Sequence, residues 1–243
     1  MANLKLKSRH RLLCGDCTDD QVAARLFDGE RAEACITDPP YNVDYGNAKH
    51  QKFKVREIEN DNMSKDDYQA FGLLIANQIK ANTRGCVYVF GAPAQDGRIL
   101  FSVLDQTLHC STTIIWNKDV FVLGRAKYHN KYEPCWFGWN ESGIRFTDNR
   151  KLTNVWDYER PKRSQEHPTM KPVGLIQIPI EHATREGDIV FDLFLGSGTT
   201  LIACEQTNRR CFGTEISPRY CDVIVARWEA LTGQTAVKQS GDE

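Results

Sequence analysis

The sequence predicts an α/β protein, a mostly parallel sheet with helices on both faces. Three observations point there. Short apolar runs alternate with helical patterns along most of the 243 residues. One such run passes through Phe191 and Asp192 into a small-residue turn and then a helix that ends near Gln206. A further short strand, Arg210–Glu215, follows at once and closes on an acid.

In chain order, strands are expected at residues 11–14, 34–37, 86–90, 112–116, 135–139 and 189–194, each apolar and bounded by Gly, Asp, Asn or Pro. Ser64-Lys65-Asp66-Asp67 reads as a helix start, and Tyr68, Phe71, Leu74, Ile75 and Ile79 follow at helical spacing as a core-facing stripe. A shorter helix is expected over 201–206. The length suits one domain over 1–243. Two stretches lack periodicity. Residues 42–62 carry Lys49, Lys52, Lys54 and Arg56 with no acid between 49 and 56, the pattern of a basic loop. In 141–166, Arg145, Arg150, Lys151, Arg160, Lys162 and Arg163 are interleaved with Phe146, Trp156 and Tyr158, residue types that suit phosphate contact and base stacking.

Composition narrows the class. With 41% hydrophobic and 26% charged residues, the chain can bury a core and is not disordered. A net charge of -1 excludes a surface built throughout to coat nucleic acid, while leaving room for local basic patches. No apolar run reaches the roughly 20 residues needed to span a bilayer, and Met1-Ala2-Asn3-Leu4-Lys5 lacks a leader's apolar core. A cytoplasmic protein without membrane attachment is expected. Nine scattered cysteines suit a reducing compartment. Cys14 and Cys17 have CxxC spacing but no second pair, so ordinary thiols at a turn are expected and no metal site.

The turn Phe191-Asp192-Leu193-Phe194-Leu195-Gly196-Ser197-Gly198-Thr199-Thr200 brings bare backbone and free helix N–H groups to one place. A Gly-Ser-Gly is weak evidence alone. Glu215, 23 residues after Asp192, strengthens it, because a Rossmann-like domain places a carboxylate on a ribose at about that distance. No Lys follows the glycines, which argues against a triphosphate, and the third glycine of a dinucleotide site is missing. Asp192 would repel pyrophosphate and attract an ammonium, such as that on the methionine part of S-adenosylmethionine. A tight turn whose Asp merely caps the helix would read similarly.

Asp38-Pro39-Pro40-Tyr41 leaves the strand at 34–37 through two prolines, which forbid helix and ladder alike. Such a turn offers acceptors, the Asp38 carboxylate and the Pro39 carbonyl, with few donors of its own. An exocyclic amine on a base needs two acceptors, and Tyr41 adds a flat face for a base flipped out of its stack.

Together these motifs resemble the amino-methyltransferases of DNA, whose catalytic motif is D/N/S-PP-Y/F/W and whose cofactor motif centres on F-x-G-x-G. The catalytic motif (38–41) precedes the cofactor motif (191–198), as in the β-class permutation. His167-Pro168-Thr169-Met170-Lys171-Pro172, Tyr132-Glu133-Pro134 and Gly15-Asp16-Cys17 resemble further family segments in order. The resemblance implies a Rossmann-like, circularly permuted, S-adenosylmethionine-dependent methyltransferase fold. It implies that Asp38, Pro39, Pro40 and Tyr41 activate the target base. Asp16, Cys17, Asp38, Lys171, Asp192, Phe194, Gly196, Ser197, Gly198, Thr199, Glu215 and Ile216 would line the cofactor site, Asp192 and Gly196 at the methionine end, Glu215 at the ribose, Asp16 and Cys17 near the adenine, and Lys171 near the entrance. Pro179 falls inside the family's helix over 173–184, where a kink or early break is expected. The recognition region at 141–166 is short for the family.

The function so implied is site-specific methylation of the N6 amine of adenine in double-stranded DNA, with base flipping and S-adenosylmethionine as cofactor. The alternative is the N4 amine of cytosine, whose chemistry is equivalent. Carbon-5 cytosine chemistry is not expected, because the Pro134-Cys135 pair opens the strand expected at 135–139 and is not read as an attacking nucleophile. Methylation of a protein glutamine or an RNA base would favour Asn first and the opposite motif order. A catalytically idle DNA-binding module would not need Asp38, Asp192 and Glu215 intact. A homodimer and a cognate restriction endonuclease are the further partners the resemblance allows, in a bacterial or phage-encoded setting.

Overall fold

The computed structural model describes residues 3–6, 10–42, 62–122, 127–141, 151–160 and 170–239. In chain order the elements are β1 (Asn3–Leu6), β2 (His10–Cys14), α1 (Asp20–Phe27), β3 (Ala32–Thr37), α2 (Lys65–Asn82), β4 (Thr83–Phe90), α3 (Gln95–Thr107), β5 (His109–Val122), β6 (Asn130–Trp139), β7 (Val155–Asp157), α4 (Val173–Ala183), β8 (Ile189–Asp192), α5 (Thr199–Gln206), β9 (Arg210–Glu215), α6 (Pro218–Thr232) and β10 (Val237–Gln239). Most of the basic stretch, 43–61, lies outside the described residues, as do Arg145, Phe146, Arg150, Lys162, Arg163 and His167.

The strands form one sheet in the order β10-β1-β2-β9-β8-β3-β4-β6-β5-β7. The five central strands, β2, β9, β8, β3 and β4, are parallel. Antiparallel β1 and β10 extend one edge, and the β5–β6 hairpin extends the other. Parallel strands covered on both faces read as unbroken apolar runs, and β4 illustrates this. Cys86, Tyr88 and Phe90 enter the core beneath α4, α5 and α6, whereas Val87 and Val89 enter the core beneath α1, α2 and α3.

Local chemistry fixes the ends of these elements. Ser64 caps α2 by accepting from the Asp67 amide, and Asp19 caps α1 by accepting from the Gln21 amide. Pro218 opens α6, and Gly233 ends it at φ 68°, a left-handed conformation glycine adopts without steric cost. A buried polar tie joins both sheet and helices. His10 is fully buried, and its Nδ1 accepts from the Cys211 amide. The proton is therefore on Nε2, which donates to Glu205 Oε2 (2.7 Å), an oxygen that also takes the Trp228 indole N–H (2.9 Å).

Three expectations need correction. α4 runs past Pro179 to Ala183 without an early break; Leu175, Ile176, Ile180 and Ala183 bury its core-facing stripe on both sides of the proline. Trp156 and Tyr158 do not form a stacking platform. Trp156 is buried on β7, 6.3 Å from the Tyr88 ring, and Tyr158 packs against the same core. The strand expected to run to 194 ends at Asp192, because Leu193 to Gly198 already form the turn. Among the described residues, no helix is long and apolar enough to cross a membrane.

Adjacent β8 and β3 send the chain in opposite directions, β8 through α5 to β9 and β3 through α2 to β4. Where the strand order reverses, the loops beyond the C-terminal strand ends diverge and leave a crevice. Asp38 and Asp192 stand at that crevice from its two sides.

Candidate functional site

The Asp-Pro-Pro-Tyr turn caps β3 and is pinned from beneath, the Tyr68 hydroxyl of α2 donating to the Pro40 carbonyl (3.0 Å). Asn42, at φ 56°, closes the turn by exchanging two hydrogen bonds with the Met63 backbone, Nδ2 to its carbonyl and Oδ1 from its amide. Beside the turn lies a cluster of four charged groups. Lys171 Nζ pairs with Asp38 Oδ2, donates to the Tyr41 hydroxyl (3.1 Å) and reaches Glu133 Oε2 (3.3 Å). The Tyr41 hydroxyl in turn donates to Glu133 Oε2 (3.0 Å), and Lys118 Nζ pairs with Glu133 Oε1 (2.5 Å). Both lysines are buried, Lys171 at 7% and Lys118 at 5% exposure. Asp38 Oδ1 is buried and has no hydrogen-bond partner among the described residues.

The electrostatics follow from this packing. Burial alone would raise the Glu133 carboxyl, but Lys171 and Lys118 hold it down to about 2. Burial would lower the Lys171 ammonium, yet Asp38 and Glu133 keep it above its ordinary value. Burial, backed by those two carboxylates, pushes the Tyr41 phenol up, so it stays neutral. Asp38 is raised by burial against the pull of Lys171.

On the other side of the crevice, the β8 turn is bound to β9. Glu215 Oε2 accepts from the Gly196 amide (2.7 Å) and Oε1 from the Ser217 amide (2.9 Å). The Gly15 amide, at the end of β2, donates to the Glu215 carbonyl (3.0 Å), so residues 15–17 are drawn beside it. Asp192 Oδ1 accepts from the Thr37 hydroxyl (2.8 Å) and the Phe194 amide (3.0 Å). Burial pushes the Asp192 carboxyl up to about 6, against hydrogen bonds from Thr200, Phe194 and Thr37. The two glycines differ. A Cβ on Gly196 (φ 52°) would meet nothing within 4 Å, whereas one on Gly198 (φ 85°) would stand 2.9 Å from Ile224. Gly196 therefore presents bare backbone to open space, and Gly198 is small because α6 packs behind it.

Comparison with known proteins agrees with this arrangement. Residues 128–226 match the family N6_N4_Mtase, described as DNA methylase. The type II methyltransferase M.HpaI of Haemophilus parainfluenzae is 25% identical over 248 residues, spanning 90% of this chain and 74% of its own. Residues 128–226 thus match the N6/N4 DNA methylase family, and most of the chain is similar to a type II methyltransferase. Two solved structures share this fold. The M1.HpyAVI complex with S-adenosylmethionine superposes with TM-score 0.65 at 21% identity, covering 89% of this chain and 98% of that one. The cytosine-N4-specific PvuII DNA methyltransferase gives TM-score 0.70 at 17% identity over 92% and 87% of the two chains.

The residues expected from the sequence do not all lie alike. Asp38, Pro39, Pro40 and Tyr41 stand together at the end of β3, and Asp192, Gly196 and Glu215 at the ends of β8 and β9. Asp16 accepts from the amide and hydroxyl of Thr18 (2.8 Å each). Cys17 is buried, and burial, followed by the charge of Asp16, raises its thiol. Ile216, 40% exposed, follows Glu215. The Phe194 ring packs edge-on to Phe71 at 6.0 Å. Ser197, Gly198 and Thr199 are buried, and Ser197 accepts from Arg227 through both its carbonyl and its hydroxyl. Lys171, expected at the cofactor entrance, sits beneath the Asp-Pro-Pro-Tyr turn and pairs with Asp38. Lys118 is a site residue that the sequence does not single out. Its partner Glu133 is 15 positions away across the β5–β6 hairpin, a pairing no local spacing reveals.

Proposed function

We propose that the protein transfers a methyl group from S-adenosylmethionine to the N6 amine of an adenine flipped out of double-stranded DNA. One observation carries this reading: Asp38 Oδ1 is a buried acceptor without a hydrogen-bond partner among the described residues while Oδ2 is held by Lys171. An unpaired buried acceptor is costly and calls for a donor. Beside it the Pro39 carbonyl supplies a second acceptor on a backbone that has no N–H at that position.

The chemistry needs those two acceptors. The lone pair of a base amine is delocalised into the ring, so the group is a poor nucleophile. Accepting both amine hydrogens localises that pair toward the incoming methyl and stabilises the charge that develops on nitrogen. S-Adenosylmethionine supplies the methyl on a positively charged sulfur. A C–N bond forms, the C–S bond breaks with its electrons passing to sulfur, and the amine loses one proton on the Asp38 side. Asp192 can meet the cofactor's ammonium and Glu215 its ribose hydroxyls, because an ionised carboxylate can accept several hydrogen bonds at its two oxygens beside those that brace the turn. Open space above Gly196 leaves room for the group that these two carboxylates flank. The Tyr41 hydroxyl is engaged by Lys171 and Glu133, so its ring face is what remains for the base.

Adenine is preferred because the motif opens with Asp, as the family resemblance implies. Mass spectrometry of digested product DNA tests it. N6-methyladenine is expected. N4-methylcytosine alone would move the reading to cytosine, and no methylated base despite cofactor binding would remove it.

A further inference from the structure

We infer that Lys171 is a positioning residue for methyl transfer: it grips one oxygen of Asp38 and the hydroxyl of Tyr41, so that the other Asp38 oxygen and the Tyr41 ring face are left to the base. The inference rests on the reading given under Proposed function and deepens it.

Donors and acceptors match one to one around the turn. An ammonium has three protons, and Lys171 has three acceptors, Asp38 Oδ2, Tyr41 Oη and Glu133 Oε2. The Tyr41 hydroxyl has one proton, given to Glu133 Oε2, and one lone pair directed to Lys171. Glu133 Oε1 is taken by Lys118. Every strong group around Asp38 is thus committed, and the buried side-chain atom of this cluster without a partner among the described residues is Asp38 Oδ1. The arrangement selects which carboxylate oxygen is free. Without the ammonium, both oxygens would compete for the amine proton and the carboxylate could rotate.

Surroundings reinforce the grip. Lys171 is buried, with Nζ 4.6 Å from the centre of the Phe90 ring and 5.4 Å from that of Tyr41, so its rotamers are few and its charge is poorly screened. Its anchor is rigid as well. Glu133 lies on β6 and Lys118 on β5, paired strands of one hairpin, and Lys118 itself lies 4.8 Å from the centre of the Trp116 ring. The lysine comes from the segment before α4, so three separate parts of the chain meet to hold one carboxylate. The held charge also matters for protonation. Burial raises Asp38 even beside Lys171; remove the lysine and the carboxyl protonates at still higher pH, losing its role as a pure acceptor.

Single-turnover methylation by Lys171→Met, measured across pH with cofactor binding followed by calorimetry, tests this. The rate is expected to fall on the order of 100-fold with cofactor affinity within about twofold of wild type. Its acid limb is expected to move up by about 1 to 3 pH units, the pull a nearby cation exerts on a carboxyl, so that raising pH restores part of the rate. Lys171→Arg, which keeps the charge, is expected to return the acid limb toward wild type even where its different shape keeps the rate low. Should Lys171→Met not fold, Glu133→Gln serves, since it leaves the lysine in place but loosens its anchor; a smaller fall is expected, with the acid limb moved down because the Glu133 charge that raises Asp38 is gone. A rate lowered by one factor at every pH, or a rate unchanged, would overturn the inference. Wild-type protein that methylates no base would instead overturn the underlying function, so the two failures are distinct.

Discussion

Glu215→Gln separates two roles of one carboxylate, the brace seen in the structure and the ribose contact proposed for it. Glu215 is buried and braces the turn, each oxygen taking one backbone amide, Gly196 at 2.7 Å and Ser217 at 2.9 Å. Glutamine keeps one acceptor oxygen and sets an NH₂ against the other amide, so one charged hydrogen bond is lost and one N–H is left facing a donor. A hydrogen bond to a charged group contributes about 1.5–3 kcal/mol, which sets the expected loss of stability near 2 kcal/mol. For a domain of this size 1 kcal/mol corresponds to about 2–4 °C, so Tm should fall by roughly 4–8 °C. The ribose should be felt separately, as cofactor affinity weakened by about tenfold or more, equivalent to at least about 1.4 kcal/mol. Thermal unfolding with and without S-adenosylmethionine, paired with calorimetric titration, reads both. A wild-type Tm would refute the brace. A lowered Tm with undiminished affinity would leave the brace and remove Glu215 from the ribose.

Gly198→Ala should destabilise by about 2–4 kcal/mol, since its Cβ would stand 2.9 Å from Ile224 at φ 85°; Gly196→Ala should cost only about 1 kcal/mol of backbone strain while weakening cofactor binding, and equal effects on both in urea unfolding would contradict the assignment of open and packed faces. Asp192, raised from 3.8 to about 6, lends stability that is full below about pH 4 and is lost as pH rises through 6. Asp192→Asn, whose amide oxygen can still serve Thr37 and Phe194, should therefore be more stable than wild type at pH 7 by at most about 3 kcal/mol, yet bind cofactor less well; a wild-type cofactor affinity that does not rise between pH 5 and 7 would show that ionised Asp192 does not meet the ligand. Replacing Lys49, Lys52, Lys54 and Arg56 by alanine should flatten the salt dependence of DNA binding by about 1 for each phosphate no longer neutralised, with cofactor affinity spared; an unchanged slope would assign those charges to solvent.

Much of the central sheet was legible because its strands are buried on both faces, and continuous apolar runs such as Val87, Tyr88 and Val89 advertise that directly. The edges were not. β7 is three residues long, and its single buried side chain, Trp156, sits among charges that suggested a surface instead. α6, which the sequence reading does not anticipate, nonetheless carries readable signals in Pro218, Gly233 and the spacing of Cys221, Ile224 and Trp228. α3 was hidden by Gly97 in its first turn, which is small there because a Cβ would stand 2.0 Å from the Ala92 carbonyl oxygen. In the site, the residues of the two turns were readable because short turns need unusual residue types. Those that hold them were harder. Glu133 and Lys171 stand within family-like segments, but their union with Asp38 spans 133 positions of chain and exists only once β3, β6 and the start of α4 are assembled.

Asp38, Glu133, Lys118 and Lys171 together carry two negative and two positive charges. Seen from beyond their own spacing the four cancel, and what survives is a field that dies away over a few ångströms. Under the proposed function, a neutral base arriving at this turn would be met by strong directional groups at contact and by almost no long-range pull. Added salt should accordingly slow capture of the polyanionic duplex while leaving the step at the captured base nearly untouched, giving one enzyme two ionic-strength regimes.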